Sequence, residues 1–239
     1  MKPELWVCNL GQVPYLEAMA LQERLRAARQ ADELSDVLLL LEHPPVFTKG
    51  RRTKPGDLPM GEDWYRLQGF DLYESDRGGR VTYHGPGQLV GYPIMRVERV
   101  AEYVKTMEGA IVAALADEGI EAGIRDGLTG VWAGDAKIGS IGVHVSRGVT
   151  THGFAINVDN DLQPFQYVVP CGMEGVRMTS VSSEKGRAGQ LSCFRKRMAF
   201  RFAEAYRHRQ RLVSLRQMLL EAGADRRAPA ERPLESVPA

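Results

Sequence analysis

The chain has 239 residues, 44% of them hydrophobic and 26% charged, with a formal net charge of +1. That length buries a full core, as one large domain or one domain with a small appendage. The near-zero charge gives no global field for nucleic acid or an anionic membrane; no apolar run reaches transmembrane length; and three cysteines, at 8, 171 and 193, are too few for a disulfide framework and suit a reducing cytoplasm.

In chain order, residues 4–9 read as a first strand, with no apolar signal-peptide core at the N-terminus. Leu16, Met19, Leu21, Leu25 and Ala28 predict a helix over 13–30. Residues 37–41 are a continuous apolar run, the pattern of a strand buried on both faces. Pro44 and Pro45 end it, because proline cannot donate to a ladder. Lys49, Arg51, Arg52 and Lys54 then crowd one loop. Such a run is either a solvated face or a docking patch for an acidic partner.

Strands are expected at 70–74 and 81–95. The stretch 77–94 between and within them carries five glycines and two prolines among Arg77, Arg80, Tyr83, His84 and Gln88. Read alone, it is a hairpin with a Gly-Pro-Gly tip or a backbone shaped for close approach to a ligand. Residues 100–118 form the clearest helix, with Val100, Tyr103, Val104, Met107, Ile111, Ala114 and Leu115 on one face and Gly119 at its end.

From 128 to 158 the pattern returns to β, with a hairpin around residues 146–148. Strand parity puts Lys137 on one face with Ile141, Val143 and Val145, unless a bulge at Gly139 resets it. An ammonium on an apolar face is costly unless paired or neutralised. Gly153, Ala155 and Asn157 make a small-residue face against which a ligand could lie. A last helix is expected over 190–209, with 211–220 extending it and a disordered tail from 222. The order of elements argues for α+β, or mixed α/β, in one domain: a mixed sheet packed on helices. A catalytic domain over 1–210 and a C-terminal extension over 211–239 are expected.

Cys8 and Cys193 read as structural. Cys171, between Pro170 and Gly172 in a polar loop, reads either as structural or as a nucleophile needing a cation or histidine to lower its pKa. Lys137 is the available cation; His84, His144 and His152 are the available imidazoles. No C-x-x-C, H-E-x-x-H, Walker A or G-x-G-x-x-G pattern occurs. No metal or cofactor is therefore expected, and any acyl transfer starts from an activated donor.

These motifs resemble one family. Residues 77–88, Lys137-Ile138-Gly139-Ser140-Ile141-Gly142, His152-Gly153-Phe154-Ala155 with Asn157, and Pro170-Cys171-Gly172 are similar to the lipoyl(octanoyl) transferases of lipoate biosynthesis. Residues 41–48 resemble the same family's early strand and loop. The resemblance runs from about residue 10 to 205. It implies a fold like the catalytic domain of biotin and lipoate protein ligases. It also implies transfer of octanoyl from acyl carrier protein to a lysine of 2-oxoacid dehydrogenase lipoyl domains or the glycine-cleavage H protein. By the same resemblance Cys171 carries an acyl-thioester and Lys137 lowers its pKa. The substrate site would be lined by Arg77, Gly78, Gly79, Arg80, Val81, Thr82, Tyr83 and His84, with Ser140, Ile141, Gly142, Gly153, Phe154 and Ala155. His84 shapes the pocket in this reading. A cytoplasmic monomer is expected, with no nucleic-acid or membrane partner. Two alternatives stay open: an ATP-dependent lipoate ligase, and a non-catalytic carrier-binding module on the same fold.

Overall fold

A computed structural model describes residues 2–169 and 175–222. Its strands are β1 (Glu4–Gln12), β2 (Asp36–Glu42), β3 (Val46–Lys49), β4 (Asp71–Glu74), β5 (Thr82–His84), β6 (Gln88–Ile94), β7 (Gly123–Arg125), β8 (Leu128–Ala133), β9 (Ala136–Ser146), β10 (Val149–Asn157) and β11 (Arg209–Leu212). Its helices are α1 (Tyr15–Gln30), α2 (Glu62–Leu67), α3 (Val100–Ala116), α4 (Val181–Lys185), α5 (Leu191–Ala205) and α6 (Leu215–Glu221).

Eight strands form one mixed sheet in the order β11-β1-β2-β6-β10-β9-β8-β7. The expected apolar run is β2, at the sheet's interior, where alternate residues feed two cores because both faces are covered. Leu38 and Leu40 join Met107, Ile111, Phe194 and Phe202 of α3 and α5 on one face. Val37, Leu39 and Leu41 join Ala18, Leu25 and Met218 of α1 and α6 on the other. The mixed α/β architecture predicted from the sequence is the one observed.

A second, three-stranded sheet, β4-β3-β5, stands apart over its own core, which holds Phe47, Tyr65, Val81, Tyr83 and Phe165. It carries the Gly-rich stretch. That stretch is β5, a tight turn closed by Gln88 N–H to Gly85 O, and then β6 of the main sheet. Residues 82–94 thus join the two sheets, and the site forms where they meet.

The C-terminal end differs from expectation. The last helix stops at Ala205, and Arg209–Leu212 runs parallel to β1 as an edge strand rather than extending the helix. A separate helix, α6, follows, with Ser214 accepting from Gln217 N–H as its N-cap. Residue 210, where the catalytic domain was expected to end, lies within β11. The tail expected to be disordered lies, beyond Ala222, outside the described residues.

Candidate active site

The turn at residues 77–79 is pressed between two backbones. On one side Arg51 N–H donates to Arg77 O and Arg52 N–H to Gly79 O; on the other Gly78 N–H donates to Val143 O of β9. The contacts are too close for side chains. A Cβ on Gly50 would lie 2.6 Å from Gly79 O, and one on Gly142 would lie 2.7 Å from Gly78 O. Arg77 is buried, and its guanidinium donates to Thr48 O at 2.7 Å, to Thr48 Oγ1 and to Gly78 O. Arg80 forms a two-bonded ion pair with the fully buried Asp57. Both arginines border the cavity while bracing its wall.

A narrow slot of about 40 Å³ opens beside this turn. Its lining includes Arg77, Gly79, Arg80, Thr82 and His84. It also includes Ser140, Ile141, Gly142, Gly153, Phe154 and Ala155, which pair across β9 and β10 as Ser140 with Ala155, Ile141 with Phe154 and Gly142 with Gly153. Eleven of the fourteen substrate positions expected from the sequence therefore come together. Gly78 borders the neighbouring groove instead, and Val81 and Tyr83 point into the smaller core, because alternate residues of a strand face opposite ways. Tyr15, Tyr92 and His152 complete the lining. No sequence signal pointed to Tyr15 or Tyr92, while His152 was visible as a candidate imidazole and as the first residue of the motif that continues into Gly153, Phe154 and Ala155. The small-residue face has a role beyond the one expected: the space a Gly153 side chain would take is filled by Gly91 O and Pro93 of β6.

Most polar groups around the slot are paired with one another, whereas the buried Tyr15 Oη has no hydrogen-bond partner among the described residues. His43 Nδ1 donates to Val13 O, so its Nε2 accepts from Tyr92 Oη at 2.7 Å. Gln88 Nε2 donates to Tyr83 O and Asn157 Oδ1, which leaves Gln88 Oε1 to accept from His84 Nδ1 at 2.8 Å. Burial, aided by His43, pushes the His84 pKa well below its usual value. His84 is thus neutral with its proton fixed on Nδ1, and suited to shaping the pocket rather than to stabilising an anion by charge. His43 is likewise pushed down by burial, to about 4. His152 takes a left-handed backbone at φ 57°, its N–H held by Gln22 Oε1 at 2.6 Å. Its Nε2 donates to Asp76 Oδ1 at 2.6 Å, and that bond holds the Asp76 pKa down to about 2.

Lys137 is 1% exposed. Its Nζ donates to Thr129 O at 3.1 Å and lies 5.6 Å from the Trp132 ring centroid. Gly130, at φ 130°, leaves room for it; a Cβ there would stand 2.6 Å from Lys137 Cε. The bulge allowed for at Gly139 exists: β8 and β9 slip between Val131–Gly139 and Trp132–Lys137. Parity across the slip does not hold, and what survives of the expectation is the burial. Residues 177–179 run beside Lys137, whose N–H donates to Arg177 O and whose O accepts from Thr179 N–H. Val169 N–H donates to Asp57 O, the residue that pairs Arg80. Cys171, with Pro170 and Gly172, lies outside the described residues.

The slot shares Gly79, Arg80, Ile141 and Gly142 with a wider groove of about 510 Å³. Arg52 and Lys54 stand on the groove's rim, and Thr129, the acceptor for Lys137, is in its wall. Lys49, expected to share the cationic patch, is engaged by Glu62 and Glu74 at 2.5 and 2.6 Å. Among the described residues no cluster of three His, Cys, Asp or Glu could hold a metal ion, and no helix is long and apolar enough to cross a membrane.

Known proteins similar to this chain in sequence or in shape are consistent with one another. A family model described as the lipoyl protein ligase A/B catalytic domain matches residues 14–203. A protein of Solibacter usitatus named octanoyltransferase is 51% identical over 169 residues, covering 69% of this chain and 77% of the relative. An octanoyltransferase of Rubrobacter xylanophilus is 43% identical, covering 81% and 90%. Among solved structures, a putative lipoate protein ligase from T. acidophilum with bound lipoic acid superposes with a TM-score of 0.72 at 18% identity, covering 94% of each chain. Lipoate-protein ligase A bound with ATP superposes at 0.68 and 19% identity, covering 95% of each. These two share the fold.

Proposed function

The chain belongs to the lipoyl protein ligase A/B catalytic-domain family, and on that premise we propose that it is an octanoyltransferase of protein lipoylation, using Cys171 as nucleophile and Lys137 as its partner. The observation that carries the reading is the burial of Lys137, whose Nζ donates to Thr129 O in the wall of the groove that adjoins the slot. A lysine buried at such a site is the cation that a thiolate needs beside it.

The donor is octanoyl-acyl carrier protein. The Cys171 thiolate attacks the donor carbonyl; an S–C bond to Cys171 forms as the bond to the pantetheine sulfur breaks, and that sulfur leaves with a proton from Lys137. A lysine of a lipoyl domain then attacks the new thioester. The C–N bond forms, the S–C bond breaks, and neutral Lys137 takes the proton from the attacking amine. Exchange between thioesters is nearly neutral and aminolysis to an amide is downhill, so the cycle consumes no nucleotide. The acyl chain enters the slot bordered by Ile141, Phe154 and Ala155, which must widen beyond its about 40 Å³ to take it, at about 0.8 kcal/mol for each methylene taken from water. We place the protein in the cytoplasm as a monomer, in keeping with its sparse thiols.

The test is intact mass after incubation with octanoyl-acyl carrier protein and no acceptor. A single octanoyl adduct, absent from Cys171→Ser and discharged by an added lipoyl domain, is the expected result. Transfer that requires ATP, with no adduct on the protein, would replace this reading with that of a ligase.

A further inference from the structure

The groove beside the slot has walls of one sign. Among the described residues it is lined by Arg52, Lys54 and Arg80 and by no carboxylate, in a chain whose 31 basic and 30 acidic residues nearly balance. Arg80 is neutralised by buried Asp57, and Lys49 nearby by Glu62 and Glu74. Arg52 and Lys54 are exposed and make no ion pair among the described residues. They are nevertheless not on a loose loop. Arg52 N–H is bonded to Gly79 O, Thr53 N–H to Gly50 O, and Lys54 N–H to Asp57 Oδ2 at 2.9 Å while Lys54 O accepts from Asp57 N–H. Four backbone bonds hold two unneutralised cations on a groove whose wall includes the carbonyl that binds Lys137. Val104, Leu128, Ile141 and Val143 give the same groove a mostly apolar remainder.

A ligand complementary to this arrangement carries an acyl group at one end, an anion at the other and a slender linker between. We propose that Arg52 and Lys54 bind the phosphate of the 4′-phosphopantetheine arm that presents the octanoyl thioester, and that the groove takes the arm. The inference rests on the octanoyl-transfer reading above and adds the part of the donor that is recognised. The arm is committed to the carrier protein as its source; coenzyme A carries the same phosphate chemistry and serves as a separate arm of the test. Electrostatic contact of this kind orients the thioester without touching the reacting atoms, so Arg52 and Lys54 are positioning residues.

The experiment compares single-turnover acylation of the full-length protein, read by intact mass, with octanoyl-pantetheine and octanoyl-4′-phosphopantetheine at low salt. The wild type should be acylated about tenfold faster by the phosphorylated donor, as expected for one or two charge-assisted contacts. In Arg52→Ala/Lys54→Ala that ratio should fall towards one, while the rate with octanoyl-pantetheine stays at the wild-type value. The last point separates lost recognition from lost folding. Equal rates with both donors in the wild type, or an unchanged ratio in the double variant, overturn the proposal. Failure of both donors to acylate the wild type would instead overturn octanoyl transfer itself. With protein-borne and coenzyme A-borne octanoyl, the double variant should lose rate on the carrier protein. Loss on coenzyme A alone overturns the assignment to the carrier.

Discussion

The slot and the groove share four lining residues, yet they handle charge in opposite ways. Around the slot most polar side chains, Tyr15 Oη excepted, are buried and spent on one another: His43 on Tyr92, His84 on Gln88, Gln88 on Asn157, Arg77 on Thr48. At the groove rim Arg52 and Lys54 are exposed and unneutralised. A buried group must be paired because leaving it unsatisfied costs about 1–3 kcal/mol, whereas an exposed cation is solvated and waits for a ligand. Changes in the buried set should therefore break chemistry or folding, and changes at the rim should alter only recognition.

The largest effect tests the one buried group assigned to chemistry. Lys137→Ala should keep the fold yet slow transfer about 10²–10⁴-fold, the usual range for losing a positioned acid or base. Alkylation of Cys171 by iodoacetamide should shift to higher pH in that variant. Lys137→Arg should retain part of the thiolate and still fail in aminolysis, because arginine does not give up its proton. An unchanged alkylation curve in Lys137→Ala would remove Lys137 from the pair.

Arg77 comes next, with stability as the readout. Arg77→Met keeps the bulk but strands Thr48 O and Gly78 O without their side-chain donor, in a turn already wedged by Gly50 and Gly142. Urea unfolding should report a loss of about 3 kcal/mol. A loss under about 1 kcal/mol would mean the buried wall tolerates unpaired groups and differs little from the rim.

How far these contrasts were legible in the sequence depended on range. The apolar run of β2 and the periodic face of α3 are set by local burial, and both emerged where expected except at Val100, which is exposed in the first turn of α3. The Gly-rich stretch was recognisable because its glycines answer to steric contacts that admit no substitute, such as Gly87, at φ 84°, against Asn160 N. β11 was not legible: Arg-Gln-Arg-Leu is a mostly exposed strand defined by its pairing to β1, some 200 residues earlier in the chain. Val81 and Tyr83 were assigned to the site because the motif is continuous, while the strand alternates. The partners of Lys49 were invisible because Glu62 and Glu74 come from α2 and β4. Cys171 rests on its motif alone.

Between wall and rim stands Asp76, half-exposed yet bonded to the buried His152. Its pKa in the folded protein, about 2, lies below the ordinary 3.8, so the carboxylate stabilises the fold above about pH 4 and that contribution fades as pH falls towards 2. Solvent screening at a half-exposed group limits the effect to about 1 kcal/mol. Asp76→Asn should thus be less stable than the wild type at pH 6, with the gap narrowing by pH 3.5. A gap independent of pH would show that the hydrogen bond to His152 acts through shape and not charge.

The smallest expected effect is the sharpest on the rim itself. Lys49 lies in the same cationic run as Arg52 and Lys54, five residues or fewer away, but its ammonium is shared by Glu62 and Glu74. If proximity in the sequence made a cation useful to an acidic donor, Lys49→Met should raise the donor KM as the rim variants do. If pairing decides, the change should leave KM and its salt dependence alone, since the charge was already cancelled before the donor arrived. The structural cost should be small too. Glu62 and Glu74 are 40% and 79% exposed, so water solvates both once the lysine is gone, and the loss should stay within about 1 kcal/mol. Steady-state kinetics across a salt series, beside urea unfolding, measure both quantities in one variant. A KM for Lys49→Met that rises as far as for Arg52→Ala would erase the distinction between a neutralised and an available cation, and with it the reason for assigning the donor's phosphate to Arg52 and Lys54.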